Sequence, residues 1–278
     1  MAMNESFGKK FIYNGELQSS DNFDNSFVYE GDSVYEVIRM TRGIPVFFND
    51  HMERLETSLR LQKRESLASS QEIRKDIIRL ARTERRKNIN LKLVFNYNHD
   101  GTRYLIYFVE SVYPSDKQYR DGVKGVLVNA ERNNPESKVI DHKLRTSIYN
   151  QLLKEGAYEA LLVNREKEIT EGSRSNIFFL RDETLITAPD SMILSGITRK
   201  YILEICREQG IKLEFMCMPV SLLPGCDAVF MTGTSPMVLQ FSSIGDINYK
   251  VLDPFIDRLR MLYAAKAEES LRSFAGGV

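Results

Sequence analysis

The chain has little of what several enzyme classes require. Its 278 residues include no tryptophan, three cysteines and three histidines. Cys206, Cys217 and Cys226 are odd in number and form no C-x-x-C pair. Neither a disulfide framework nor a zinc site is expected, and the cysteines read as reduced core or surface thiols. His51, His99 and His142 leave little room for a histidine metal cluster or a Ser-His-Asp hydrolase. The G-x-S-x-G, Walker and G-x-G-x-x-G loops are all absent. An excess of one charge is also missing, since 38 basic residues balance 38 acidic ones. That removes the electrostatic footprint of a nucleic-acid or anionic-membrane partner, while local positive groups can still hold a small anion. No run approaches the ~18–20 apolar residues of a membrane span. The N-terminal Met1-Ala2-Met3-Asn4-Glu5-Ser6 lacks the apolar core of a signal peptide, so a cytoplasmic location is expected.

What is present is a globular composition. Apolar residues make up 42% of the chain, and the length suits two compact domains or one large one. Phe27-Val28-Tyr29 and Ser33 to Ile38 read as strands around Glu30-Gly31-Asp32, and Val46-Phe47-Phe48 as another after the Arg42-Gly43 turn. Asn49 or Asp50 is placed to cap a helix carrying Met52, Leu55, Leu59 and Leu61. Ser69-Ser70 precedes a second helix with Ile73, Ile77, Ile78 and Leu80. Leu91–Tyr97 and Tyr104–Val109 flank Asn98-His99-Asp100-Gly101 as a hairpin. The expected division is a small α/β domain over 1–112, a linker over 113–123 and a larger domain over 124–278. In the second half a helix spans Lys143 to Leu153, and another runs from Ile197 to Glu208 and stops at Gly210. Strands fall at Gly125–Val128, Ala160–Val163, Asn176–Leu180, Thr184–Thr187, Lys212–Met216 and Ala228–Thr232, and a last helix covers about Pro254 to Arg272.

Three local signals carry chemistry. Lys143 lies in Asp141-His142-Lys143-Leu144-Arg145-Thr146. Glu171 lies in an acidic loop, Ile169-Thr170-Glu171-Gly172-Ser173-Arg174-Ser175-Asn176. Leu194-Ser195-Gly196-Ile197-Thr198-Arg199 opens a helix. They offer an amine, a carboxylate and a cluster of helix N-terminal amides. Pyridoxal 5′-phosphate (PLP) needs all three, for its aldehyde, its pyridine nitrogen and its phosphate. Each alone has a bland reading: a solvated lysine, an ordinary Thr-Glu-Gly turn, a plain helix start.

Longer segments add to these. Gly31-Asp32-Ser33-Val34-Tyr35-Glu36-Val37-Ile38-Arg39, Asp50-His51-Met52-Glu53-Arg54-Leu55, Gly156-Ala157-Tyr158-Glu159-Ala160-Leu161 through Thr170-Glu171-Gly172-Ser173, Gly196-Ile197-Thr198-Arg199 and Thr232-Gly233-Thr234-Ser235 occur in this order. Together they resemble the class IV aminotransferases, which include branched-chain aminotransferase, D-amino-acid aminotransferase and 4-amino-4-deoxychorismate lyase. The resemblance implies fold type IV, an α/β (α+β) fold with a small N-terminal α/β domain and a larger pseudo-barrel domain that binds PLP. It implies Lys143 as the Schiff-base lysine and proton shuttle, and Glu171 as the partner of the pyridine nitrogen. It implies Arg54 as the phosphate arginine, and a cradle from the amides of Ile197 and Thr198 with the hydroxyls of Thr198 and Thr234. Arg54 could otherwise be a surface residue beside Glu53 and Glu56, and Thr234 a turn former before Pro236.

The chain departs from the family in places. Ile148 stands where the branched-chain enzymes carry tyrosine, and Val94-Phe95-Asn96-Tyr97-Asn98-His99 lacks the arginine of the other two branches. Arg39, Arg145 and Arg174 are candidates to anchor a substrate carboxylate, and Tyr35 and Ser235 to line the substrate. The implied reaction moves an amino group between a branched-chain or D-amino acid and a 2-oxo acid. The alternative is a lyase releasing pyruvate and 4-aminobenzoate from aminodeoxychorismate, and a non-catalytic PLP-binding protein is a third reading. A homodimer is implied as well. Tyr29, Tyr35, Phe95 and Tyr97 are placed to face a partner or substrate, or to fill the core.

Overall fold

Alternation of side chains along one long strand organises the first sheet. In the computed structural model, which describes residues 4–132, 135–140, 142–251 and 253–276 without the side chains of His142 and Lys143, that strand is Ile89–Asn98. It lies between the antiparallel strands Asp32–Thr41 and Gly101–Val109. Leu91, Leu93, Phe95 and Tyr97 face the helices Phe48–Leu61 and Ser70–Glu84 and pack with Met52, Leu55, Leu59, Ile73, Ile77 and Leu80. On the other phase Val94, with Leu105 and Tyr107, meets Phe11, Phe23 and Val28. Both faces are therefore covered. Strands Lys10–Tyr13, Glu16–Ser19 and Ile44–Pro45 complete the sheet at its edges. The helix at Ser70 starts with a capping box, in which the Glu72 amide donates to Ser69 Oγ and the Ser69 amide to Glu72 Oε2.

Two units emerge from the contacts. One comprises the chain through Val112, Ser137–Ile140 and the chain from Ala267; the other comprises Tyr113–Glu136 and Asp141–Lys266. The second unit holds a ten-strand sheet that curls into a half-barrel. Its middle runs Asn176–Arg181, Ala228–Gly233, Met237–Ile244, Val123–Asn129, Glu159–Val163, Glu168–Gly172. Helices His142–Glu155 and Ile197–Glu208 belong to this unit.

Five expectations are corrected. Val46-Phe47-Phe48 is not a strand: pairing stops at Pro45, Phe47 takes a left-handed conformation at φ 52°, and Phe48 opens the helix. Remote contacts force this reversal, because the Phe47 amide donates to Ser270 Oγ at 2.6 Å and the Phe48 ring meets Phe274 at 5.4 Å. Neither Asn49 nor Asp50 is the cap, and Asp50 sits in the first turn. Phe27-Val28-Tyr29 lies in a single helical turn, Ser26–Tyr29, seeded by Asp24 accepting from the Ser26 amide at 2.9 Å. The segment expected to be a linker contains a helix, Asp116–Asp121, with a Ser115–Gln118 capping box. The acidic loop around Glu171 is a strand, Glu168–Gly172, hydrogen-bonded on both sides.

Candidate active site

Glu171 is the penultimate residue of that strand, with its side chain buried. Its Oε2 accepts from the Leu194 amide at 3.3 Å. Its Oε1 lies 2.9 Å from Arg132 Nε, an ion-pair contact whose angle falls outside hydrogen-bond geometry. Arg132 Nη2 donates instead to the Ser173 carbonyl at 2.8 Å. The turn after Glu171 is closed by a second buried carboxylate. Glu159 accepts from Ser173 Oγ at 2.5 Å, Ser175 Oγ at 2.9 Å and the Ser173 amide at 3.1 Å. The turn cannot slide while those bonds hold, so Glu171 keeps one direction.

The helix Ile197–Glu208 begins at Gly196, which supplies no side-chain cap. Its first amides are therefore left to an anion or to water. A Cβ at Gly196 would lie 2.1 Å from Asn176 Oδ1, while Asn176 Nδ2 donates to the Leu194 carbonyl at 2.8 Å. Arg199, almost fully buried, ties this turn down through Asp190, the Ala188 carbonyl at 2.7 Å and Thr187 Oγ1 at 3.4 Å. The Thr198 hydroxyl is 3.1 Å from the Tyr263 hydroxyl. Thr234-Ser235-Pro236 is the turn joining Ala228–Gly233 to Met237–Ile244, with Thr234 and Ser235 half-buried. Ile197, Thr198 and Glu171 thus share the unit that carries Thr234. Lys143 falls in the first turn of His142–Glu155, and its side chain lies outside the described residues.

In the first unit, Arg54 is not the surface residue that its neighbours Glu53 and Glu56 allowed. Its side chain is 11% exposed and gripped by fully buried Glu36: Nε donates to Oε1 at 2.8 Å and Nη2 to Oε2 at 2.7 Å. His51 Nδ1 adds a third contact to Oε2 at 2.8 Å. Burial pushes the Glu36 carboxyl up, but the charge and hydrogen bonds of Arg54, with His51, outweigh it and hold Glu36 well below the usual carboxylate range. Burial holds the His51 imidazole below its ordinary value, against the pull of Glu36. Tyr35 and Arg39 alternate with Glu36 and Ile38, on the opposite face of Asp32–Thr41, and are half-buried. Arg145 and Arg174 are exposed, and Arg174 Nη2 donates to the Tyr158 carbonyl at 3.1 Å. Phe95 and Tyr97 lie in the core, whereas Tyr29 is exposed at 37%.

Sequence reasoning missed Lys92. Its ammonium is buried 2.6 Å from Glu5 Oε1, with the rings of Tyr35, Tyr29 and Tyr107 at 5.2, 5.7 and 5.9 Å. It missed Glu36, Arg132 and Glu159 as well. The signal for Glu36 was its phase, between Val34 and Ile38 on the inward face of a strand. Among the described residues no group of His, Cys, Asp and Glu could hold a metal, and no helix is long and apolar enough to cross a membrane. The three cysteines are buried, and burial pushes the Cys206 thiol up to about 12 and the Cys226 thiol to about 11.

Known proteins resemble this chain along most of its length. It is 27% identical to the D-alanine aminotransferase of Bacillus licheniformis, over 84% of this chain and 88% of that protein. It is 25% identical to the aminodeoxychorismate lyase of Bacillus subtilis (strain 168), over 82% of each. In fold it is similar to the branched-chain aminotransferase of Thermoproteus uzoniensis solved with norvaline, at a TM-score of 0.84 and 22% identity, over 96% of this chain and 98% of that one. The family model for amino-transferase class IV matches residues 33–244. The buried Glu171 carboxylate and the side-chain-free helix start, both in the second unit, fit the needs of a PLP ring nitrogen and phosphate, and with that match the protein belongs to the class IV aminotransferase family, an enzyme family that uses PLP.

Proposed function

We propose that the protein is an aminotransferase moving an amino group between a branched-chain or D-amino acid and a 2-oxo acid. The observation that carries the reading is Glu171: a buried carboxylate one residue from a strand end, fixed by the Leu194 amide and accompanied by Arg132. When bound, PLP supplies an electron sink for the pair left at the substrate Cα. Glu171 holds the proton on the ring nitrogen. Lys143 Nζ removes the proton from the substrate Cα in one half-reaction and returns one there in the other. The Ile197 and Thr198 amides, the Thr198 and Thr234 hydroxyls and Arg54 hold the phosphate, the arginine by its planar fork. Tyr35, Arg39 and Ser235 orient the substrate, and the working form is a homodimer.

Purified protein is given candidate amino donors with and without a 2-oxo acid, and separately aminodeoxychorismate. Product formation that requires the 2-oxo acid supports the reading. Pyruvate release from aminodeoxychorismate without any acceptor would replace it with the lyase. Sedimentation at micromolar concentration reads the assembly, and a fully active monomer refutes the dimer.

A further inference from the structure

Resting on the reading of Glu171 as partner of the ring nitrogen and of the Ile197 and Thr198 amides as phosphate donors, we propose that Asn176 is a positioning residue that holds the two in register. Its side chain ties the segment that fixes Glu171 to the segment that opens the helix Ile197–Glu208. Asn176 begins the strand Asn176–Arg181 and is 4% exposed. Its Nδ2 donates to the Leu194 carbonyl at 2.8 Å. The amide of the same Leu194 donates to Glu171 Oε2 at 3.3 Å. The circuit closes on the other side, where the Gly172 amide donates at 2.8 Å to the carbonyl of Ser175, the residue before Asn176. Glu171, Gly172, Ser175, Asn176 and Leu194 thus form one ring of covalent and hydrogen bonds, and a shift at Leu194 is passed to the Glu171 carboxylate.

Three observations separate this from an ordinary structural amide. Asn176 shares its strand face with buried Phe178 and Leu180, while Ile177 and Phe179 fill the core on the other. An apolar side chain would continue that row, so packing alone does not ask for an amide. A buried amide needs a partner, and this one finds it in a main-chain carbonyl outside any helix or strand. Second, the other end of the amide bears on the helix start. A Cβ at Gly196 would lie 2.1 Å from Asn176 Oδ1 and 3.3 Å from its Cγ. Gly196 has φ −69° and ψ 140°, a conformation open to any residue. The Asn176 side chain, not the backbone, therefore demands glycine there, and its bond to Leu194 stops it from swinging aside. Third, the Asn176 backbone pairs with Thr232, whose Oγ1 donates to the Asn176 carbonyl at 3.5 Å, just before the Thr234 turn. One residue abuts both turns assigned to the phosphate and the segment that aims Glu171.

The test reads both ends of the site. The full-length chain, freed of cofactor, is titrated with PLP and with pyridoxal, which lacks the phosphate. The chain loaded with PLP carrying ¹⁵N in its ring reports ring protonation by NMR. For Asn176→Ala the expected PLP-to-pyridoxal affinity ratio is lower by roughly 10-fold, since an ångström of misplacement in a site can cost ~10²-fold. The ring ¹⁵N resonance should move toward that of an unprotonated pyridine. The sign of this second change discriminates. A carboxylate that loses an amide donor becomes more basic, so basicity alone predicts a ring nitrogen protonated at least as firmly as in wild type. Positioning predicts a weaker hold, because Glu171 no longer keeps one direction. An amide that served stability alone would lower the melting temperature and leave both readouts in place. Either readout unmoved in folded Asn176→Ala overturns the proposal. Should that variant fail to fold, Gly196→Ala pushes on Asn176 Oδ1 from the phosphate end and should still move the ring signal; an unmoved ring signal counts against the coupling. Where both fold, adding Gly196→Ala to Asn176→Ala should change the ring signal no further, and an additive change refutes the route through Asn176. Glu171→Gln separates the layers. If it leaves the ring signal untouched, the reading of Glu171 is wrong and the proposal falls with it. If it moves that signal while Asn176→Ala does not, only the positioning role fails.

Discussion

Replacing Glu5 by Gln should destabilise the protein at neutral pH and do little in acid. Glu5 lies near the N-terminus, and its carboxylate meets the buried Lys92 ammonium at 2.6 Å and accepts from the Tyr29 and Tyr107 hydroxyls at 3.0 and 3.1 Å. Its backbone is pinned by its amide donating to Asn25 Oδ1 at 3.0 Å. Breaking a buried ion pair costs about 3–5 kcal/mol, because one charge is left without a partner. Two features reduce this. The Glu5 side chain is 21% exposed, so water reaches the vacated end, and Gln keeps one acceptor. The expected loss is about 2 kcal/mol, or roughly 3–8 °C in melting temperature. Burial pushes the Glu5 carboxyl up, but Lys92 and the tyrosine hydroxyls outweigh it and lower it overall. A lowered folded-state pKa gives stability that is present above the unfolded value of ~4.3 and is lost as pH falls through the folded value. Wild type and Glu5→Gln should thus differ at pH 7 and converge in acid. Thermal melts at both pH values measure this. Equal melting at pH 7, or a gap of the same size in acid, refutes the charge-pair account. Lys92→Met in the Glu5→Gln background should recover much of the loss.

Three further outcomes are expected. Lys143→Ala should abolish turnover with the melting temperature kept, and borohydride reduction of the PLP-loaded wild type should fix the cofactor on the Lys143 peptide; label on another lysine removes that assignment. Glu171→Gln should retain PLP yet slow the half-reaction by roughly 10²-fold, the scale of losing one preorganised electrostatic partner, and single-turnover kinetics reads it. Gly196→Ala must displace Asn176 Oδ1 from a position 2.1 Å from the new Cβ. Since an ångström of misplacement in a site can cost ~10²-fold, PLP affinity should drop by roughly 10-fold or more, as absorbance titration would report.

Helices with local caps were readable from sequence. Ser69-Ser70 announces the start of one and Gly210 the end of another, because each signal lies within a residue or two of the helix end it marks. Where a remote partner decides, the reading fails. Phe47 looks like a strand residue until Ser270 takes its amide, and the turn of Ser26–Tyr29 hides in a triplet with strand composition. The strand Met237–Ile244 went unread although it pairs antiparallel with its neighbour Ala228–Gly233 as well as in parallel with the remote Val123–Asn129. The candidate site shows the same divide. Glu171 and Gly196-Ile197-Thr198 are visible as local motifs. Glu36, Lys92 and Arg132 acquire meaning only through partners at separations of 15 to 87 residues, which no window along the chain can connect.

The last helix, Pro254–Gly276, has its far end in the first unit. From Ala267 onward it supplies Glu268 to Arg42 at 2.8 Å, Ser270 Oγ to the Phe47 amide, and Phe274 to the core beside Phe48. On the ribosome, that unit cannot close its core when its own sheet has been made. Phe48 waits through the synthesis of more than two hundred residues for the ring that covers it. Newly made chains must therefore pass through an interval with an unfinished N-terminal core, and a chain cut short by a dozen residues would never leave it.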